Sequence, residues 1–456
     1  MPPAVYAARW VVPVATPPVR DGAVAVDADG RIAYVGPRAG APPVTDDLGD
    51  AILLPGLVNA HTHLELTAFR GLLEHDDFFA WIRTLTQAGA AVLDADDRAA
   101  SAHVGVCEGL AAGVTTFADT SFTGEAVAGG LAALGARGVV YQEVFGPDPM
   151  QRAGALAALQ RRVAAIRAEL LAAGAAGRVR VGVSPHAVYS VHEDLLVDAC
   201  AWAAAHDLPV AMHVSESPAE IAFLRDGEGR FAEFLRGRGI PVQRRAHSPV
   251  HLLAELGVAA VARPLLIHGV QFDDSDVALA AHYDCPVAHC PASNAKLGHG
   301  VAPLRVLLDA GVRVALGTDS VASNNRLDLL DEARTAALAQ RAALRRADAL
   351  TAAEALHLAT LGGARALGLD AEVGSLEVGK QADLAAFALG DARATPAEDP
   401  VAALVWTLAG RPALRTVVAG RVVARDGRAL GANAGAHARV VDASARLAAW
   451  AARQTP

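Results

Sequence analysis

The spacing of apolar and polar residues changes character twice along the chain. From about residue 8 to 52, short apolar runs alternate with polar residues and stop at turn formers. In "RDGAVAVDADGRIAYVG" two such runs flank Asp29-Gly30, a hairpin signal. The far end repeats the grammar in "GSLEVGKQADLAAFAL" and "RTVVAGRVVARDG". The two ends together predict one small β-sandwich, built from residues 1–53 and 369–456, the latter ending in a tail. Residues 54–368 behave differently. Short apolar runs alternate there with Ala/Leu/Arg-rich stretches of helical period, such as "HEDLLVDACAWAAAH" and "DDSDVALAAHY". Eight runs read as strands: "GLVNAHTH", "GVTTFADT", "GVVYQEVFG", "RVRVGVSPHAVYS", "PVAMHVSES", "PLLIHGVQF", "PVAHCPASN" and "VRVALGTDS". Their period-two alternation is weak, as expected of parallel strands buried on both faces. Eight β/α units predict an α/β fold, a (β/α)₈ TIM-type barrel, inserted between the halves of the sandwich.

Nearly every predicted strand ends in polar chemistry. The ends carry His61 and His63, then Glu143, His186, His213 with Glu216, His268, Ser293 with Asn294, and finally Asp319. Barrels of this type build their active sites at that face. Side chains alternate along a strand, so His61 and His63 share one side. Imidazole nitrogen and carboxylate oxygen bind a borderline-soft cation such as Zn²⁺, and catalytic sites leave one position open for water. His213 and Asp319 complete a His₃Asp set, and barrel closure places the last strand beside the first. An isolated H-x-H, a core histidine or an N-cap aspartate would each be unremarkable. Their joint occurrence at matched strand ends predicts a metal centre.

Composition narrows the partners. A net charge of -9 over 456 residues gives no electrostatic footprint for nucleic acid. No uninterrupted apolar run suggests a membrane span or a signal peptide. Four cysteines without a C-x-x-C pair predict reduced thiols in a cytoplasmic protein.

The pieces "PGLVNAHTH", "HVSES", "LIHG", "CPASNAKLG", "GTDSVASNN" and "GSLEVGKQADL" together resemble the amidohydrolase superfamily over almost the whole chain. Within it, the resemblance is to the deaminase and chlorohydrolase branch, which is mononuclear. It implies one divalent metal ion, Zn²⁺ first with Fe²⁺ or Mn²⁺ as alternatives, held by His61, His63, His213 and Asp319. The lysines agree: binuclear relatives bridge two metals with a carboxylated lysine after strand four, whereas this chain has only Lys296 and Lys380. The resemblance further implies hydrolytic deamination of an aminated ring. Glu216 carries a proton to the ring nitrogen, His268 orients the nucleophile, and Asp319 accepts the water proton.

Substrate identity rests on thinner signals. Glu65, Arg70, Glu143 and His186 are candidate substrate contacts. "LLEHDDFFAWIRTL" reads as an amphipathic lid helix carrying Phe78, Phe79 and Trp81. "HTHLEL" with "FFAWIR" resembles aminodeoxyfutalosine deaminases of menaquinone biosynthesis, which act on a 6-aminopurine nucleoside. Adenosylhomocysteine and methylthioadenosine deaminases share the core motifs but carry an acidic residue near the end of the lid, where "TLTQAGAAV" has none. Other base deaminases, triazine-type chlorohydrolases and a non-catalytic interaction protein are the remaining alternatives. A homodimer is common in this family, but no feature of the sequence calls for one.

Overall fold

A computed structural model describes residues 3–74 and 77–454. The eight expected central strands are present: β1 (Leu57–Thr62), β2 (Val114–Ser121), β3 (Arg137–Val144), β4 (Val179–Pro185), β5 (Ala211–Val214), β6 (Leu265–His268), β7 (Val287–His289) and β8 (Val314–Leu316). Every residue of β1, β2 and β3 is buried, which explains why the sequence shows little alternation there. Strands β1 to β4 pair in parallel and in order, and so do β5 to β8. Two seams join these sheets. A parallel Val183–Val210 bridge and the His213 N–H donating to His186 O (2.9 Å) link β4 to β5. Asp319 N–H donates to His61 O at 2.9 Å across the β8–β1 side. Gly317 permits that closure, since a Cβ there would lie 2.8 Å from the Cβ of His61.

Strands from both ends of the chain form one nine-stranded sheet. Ala51–Pro55 pairs antiparallel with Leu384–Ala388 and so joins the two halves. Asp29-Gly30 does turn a hairpin, with Gly30 at a φ of 77°. The turn folds back through an Arg31–Gln381 bridge, so the sheet encloses Tyr6, Val11, Val24, Leu53 and Leu384 in one apolar cluster.

Three further helices bear on the site. Helix α1 (Phe78–Val92) starts where Asp77 accepts from the N–H groups of Phe79 and Ala80. Helix α2 (Ala95–Ala111) starts in a capping box between Asp94 and Asp97. The expected lid is therefore a helix from Phe78 on, while His75 and Asp76 of that stretch lie outside the described residues. The C-terminal tail is also a helix, Ala434–Gln454, which the sequence reading did not assign. Its Val440, Ala443 and Leu447 pack with Phe69, Trp81 and Ala88. Arg439 and Arg446 reach the buried carboxylate of Asp97 at 2.9 and 2.7 Å. Among the described residues, no helix is long and apolar enough to cross a membrane.

Candidate active site

The polar strand ends converge. The rings of His61 and His63 lie 4.8 Å apart, nearly perpendicular. The His213 ring stacks on His63 at 5.3 Å, with their Nε2 atoms 3.3 Å apart. Asp319 Oδ1 lies 3.4 Å from Nε2 of His61 and 3.7 Å from Nε2 of His63. Hydroxyls hold that carboxylate: Ser293 and Ser323 donate to Oδ2 at 2.6 and 2.9 Å. His268 and Asp319 both adopt left-handed backbone, with φ of 77° and 58°. Such conformations cost on the order of 1–3 kcal/mol each and persist where the surroundings over-determine them, commonly at functional sites.

The donor set fits one divalent metal. Both ring nitrogens of His61 are buried without a hydrogen-bond partner, a state buried polar atoms rarely keep. Donor atoms of His61, His63 and His213 lie within 4.8 Å of one another, as do those of His61, His268 and Asp319. Burial, and then the neighbouring His61, push the His63 imidazole down to about 3. Burial and the surrounding histidines likewise hold His213 well below its usual range. Both therefore present lone pairs at neutral pH. Burial alone would raise Asp319, but the close approach of His61 and then the charges of His268 and His63 hold it well below the usual carboxylate range. His213 Nδ1 lies 3.1 Å from His186 O, which turns Nε2 into the cup. Neutral imidazoles with one carboxylate suit zinc, iron or manganese.

Beside this cup stands a carboxylate between two imidazoles, a candidate acid–base group. Glu216 Oε1 lies 3.6 Å from His268 Nε2 and 3.4 Å from His299 Nε2. Burial raises the Glu216 carboxyl, but the charge of His268 and the hydrogen bond from His299 outweigh it and leave it lowered. His268 Nδ1 lies 3.0 Å from Asn294 Oδ1, which fixes the ring so that Nε2 faces Glu216. The Glu216 backbone N–H donates to Glu220 at 2.8 Å and pins the turn that carries it.

A cavity of about 650 Å³ opens above the cup. Aromatic side chains roof it. Phe78 and Phe79 of α1 meet Phe231 of helix α3 (Arg230–Gly237) at 6.3 and 5.6 Å. Phe231 in turn stacks on Tyr189 at 4.1 Å. Phe78 also sits edge-on to His299 at 4.6 Å, so the roof touches the acid–base group directly.

The four candidate substrate contacts separate. Glu143 and His186 line the cavity. Burial, followed by Glu65, Asp119 and Asp319, raises the Glu143 carboxyl well above its usual range. Glu65 also borders the cavity, but its oxygens accept from the N–H groups of Phe122 and Thr123, both at 3.0 Å. It anchors the loop after β2. Arg70 does not join the group: its guanidinium pairs with Glu108 and the Asn325 carbonyl. Sequence reasoning missed His299, although it follows the quoted "CPASNAKLG" by one residue. It also missed Asp119, which accepts from Thr62 Oγ1 and Leu64 N–H at 2.8 and 2.7 Å and shapes the backbone around His63.

Comparison with known proteins agrees with this architecture. The 5-methylthioadenosine/S-adenosylhomocysteine deaminase of Moorella thermoacetica is 33% identical over 422 residues, covering 91% of this chain and 93% of the relative. The 5'-deoxyadenosine deaminase of Methanothermobacter thermautotrophicus is 34% identical over 412 residues, covering 90% of each. A crystal structure of an adenosine deaminase from Xanthomonas campestris with bound zinc superposes with a TM-score of 0.85 at 29% identity, covering 97% of this chain and 98% of that one. The model of the amidohydrolase family matches residues 52–423, and the chain belongs to that family.

Proposed function

We propose that this chain is a metal-dependent hydrolytic deaminase of a 6-aminopurine nucleoside. The observation that carries the reading is the placement of Glu216 beside the His61–His63–His213–Asp319 cup, at the floor of an aromatic cavity. A divalent metal bound at those four residues makes a water nucleophilic near neutral pH. The chain's own groups manage the protons. Glu216, ionised beside His268 and His299, takes one proton of the attacking water and passes it to the purine ring nitrogen next to the reacting carbon. Asp319 takes the water's second proton and returns it to the amine, which departs as ammonia and leaves a ring carbonyl.

Two observations bear on which nucleoside is used. Helix α1 carries no acidic residue, and Phe79, Phe231 and Phe234 line the cavity. These favour a bulky aryl group on the 5′ side of the sugar, as in aminodeoxyfutalosine. Similarity to the Moorella enzyme favours methylthioadenosine or S-adenosylhomocysteine instead. The test is ammonia release by the zinc-loaded protein from aminodeoxyfutalosine, methylthioadenosine, S-adenosylhomocysteine and 5′-deoxyadenosine. Turnover of at least one is expected, and kcat/KM ranks them. Release of chloride from a chlorinated triazine, with no ammonia from any nucleoside, would replace this reading with chlorohydrolysis.

A further inference from the structure

Among the described residues, four carboxyl side chains line the cavity: Glu65, Glu143, Glu216 and Asp319. Three are committed to the protein. Glu65 accepts from the backbone of Phe122 and Thr123. Glu216 faces His268 and His299. Asp319 accepts from Ser293 and Ser323 and faces His61. Glu143 is different. It is 5% exposed, Oε1 is fully buried without a hydrogen-bond partner, and no cation of the described residues pairs with it. A buried polar atom of this kind points to a group that arrives from outside the chain.

Position narrows what that group is. Glu143 stands at the end of β3, and a donor atom of its carboxyl lies within 4.8 Å of those of His186 and His213. The acid–base group stands elsewhere on the ring, after β5 and at the end of β6. A purine placed with its amine-bearing carbon at the cup and its ring nitrogen at Glu216 must direct its sugar away from that group. Phe122, Phe145 and Tyr189 also line the cavity, with Phe145 and Tyr189 4.7 and 5.9 Å from the His186 ring, and their apolar surface suits the carbon skeleton of a sugar. Among the described residues lining the cavity, no other carboxyl is uncommitted, while a sugar brings hydroxyls that both donate and accept.

We infer that Glu143 is the specificity-determining residue for the sugar, its carboxyl taking the 2′ or 3′ hydroxyl of the nucleoside with His186 beside it. The inference rests on the nucleoside reading above. It makes the enzyme a reader of the sugar as well as of the base, and it sets ribonucleosides above their deoxy counterparts.

The test pairs substrates with variants. Zinc-loaded full-length protein is assayed with adenosine, 2′-deoxyadenosine and 3′-deoxyadenosine, as wild type, Glu143→Gln and Glu143→Leu. In the wild type, loss of the contacted hydroxyl should lower kcat/KM about 10- to 100-fold. Glu143→Leu should bring adenosine down to the level of that deoxynucleoside, leaving the deoxynucleoside itself little changed. Glu143→Gln, which keeps a donor and an acceptor, should retain most of the discrimination and serves if the leucine variant does not fold. Zinc content should remain one per chain throughout. Equal loss on all three nucleosides, or a wild type indifferent to both hydroxyls, would overturn the inference. So would a second zinc in the wild type that disappears with Glu143→Gln, because Glu143 would then be a ligand. Absence of ammonia from every nucleoside with the wild type marks instead the failure of the deaminase reading itself.

Discussion

The floor and the roof of the cavity are built by opposite means. On the floor, the candidate site residues stand on or just after strand ends, and several are held from a second direction. Asp319 has Ser293 and Ser323, His268 has Asn294, and His213 has the His186 carbonyl. Left-handed backbone at His268 and Asp319 adds strain that only a rigid frame sustains. In the roof, the rings of Phe78, Phe79 and Phe231 meet edge to face, with no hydrogen bond orienting the rings themselves. Such contacts tolerate displacement, because dispersion falls off without the angular demands of a hydrogen bond. On the proposed function, chemistry falls to the rigid half and substrate fit to the adaptable half.

Substitutions should separate the halves by size and by kind of effect. The largest belongs to the cup: His213→Ala should lose the metal and reduce deamination to background, read by zinc analysis alongside ammonia release. A variant that keeps both zinc and turnover would remove His213 from the ligand set. Next is Glu216→Gln, which should keep its zinc yet lower kcat by about 10²- to 10⁴-fold, the usual worth of a positioned acid–base group. Near-normal turnover there would dissolve the distinction between cup and acid–base group. A roof change should behave otherwise. Phe79→Leu should raise KM roughly threefold to tenfold, in line with about 0.5–1.5 kcal/mol for an aromatic contact, with kcat nearly unchanged. A fall in kcat with KM constant would mean that the roof takes part in the chemistry. The smallest effect on turnover is expected farthest from the substrate. Replacing both Arg439 and Arg446 with Ala leaves the buried Asp97 without a cation and should cost about 1–3 kcal/mol, seen as a lower melting temperature and faster hydrogen exchange over residues 78–92.

The same contrast explains what could be read from the sequence. The barrel strands and their polar ends were legible because strand parity and barrel geometry convert spacing into position. His61, His63, His213, Glu216, His268 and Asp319 were all identifiable on that basis, and the structure brings them together. Roles in the roof were not legible, since an aromatic on a helix reads equally as packing or as contact. Trp81 does both, lying buried against Phe69 and Leu447 while bordering the cavity. Arg70 looked available for substrate because nothing local announces Glu108 as its partner. His299 was hidden for a related reason: it belongs to a loop, and loops carry no parity from which a direction can be inferred. The final helix escaped notice because only Val440, Ala443 and Leu447 of its residues are buried, too thin a stripe to stand out among alanines.

That helix has a consequence for how the molecule is made. Arg439 bonds to Asp97 across 342 residues of chain, and its neighbours brace the helix that roofs the cavity. Residues lining the floor leave the ribosome long before residues 434–454 do. The cup residues are thus made before the brace, and the roof gains that support only once residues 434–454 have emerged. Truncation late in the sequence would leave the ligand residues intact and the substrate-facing half unfinished.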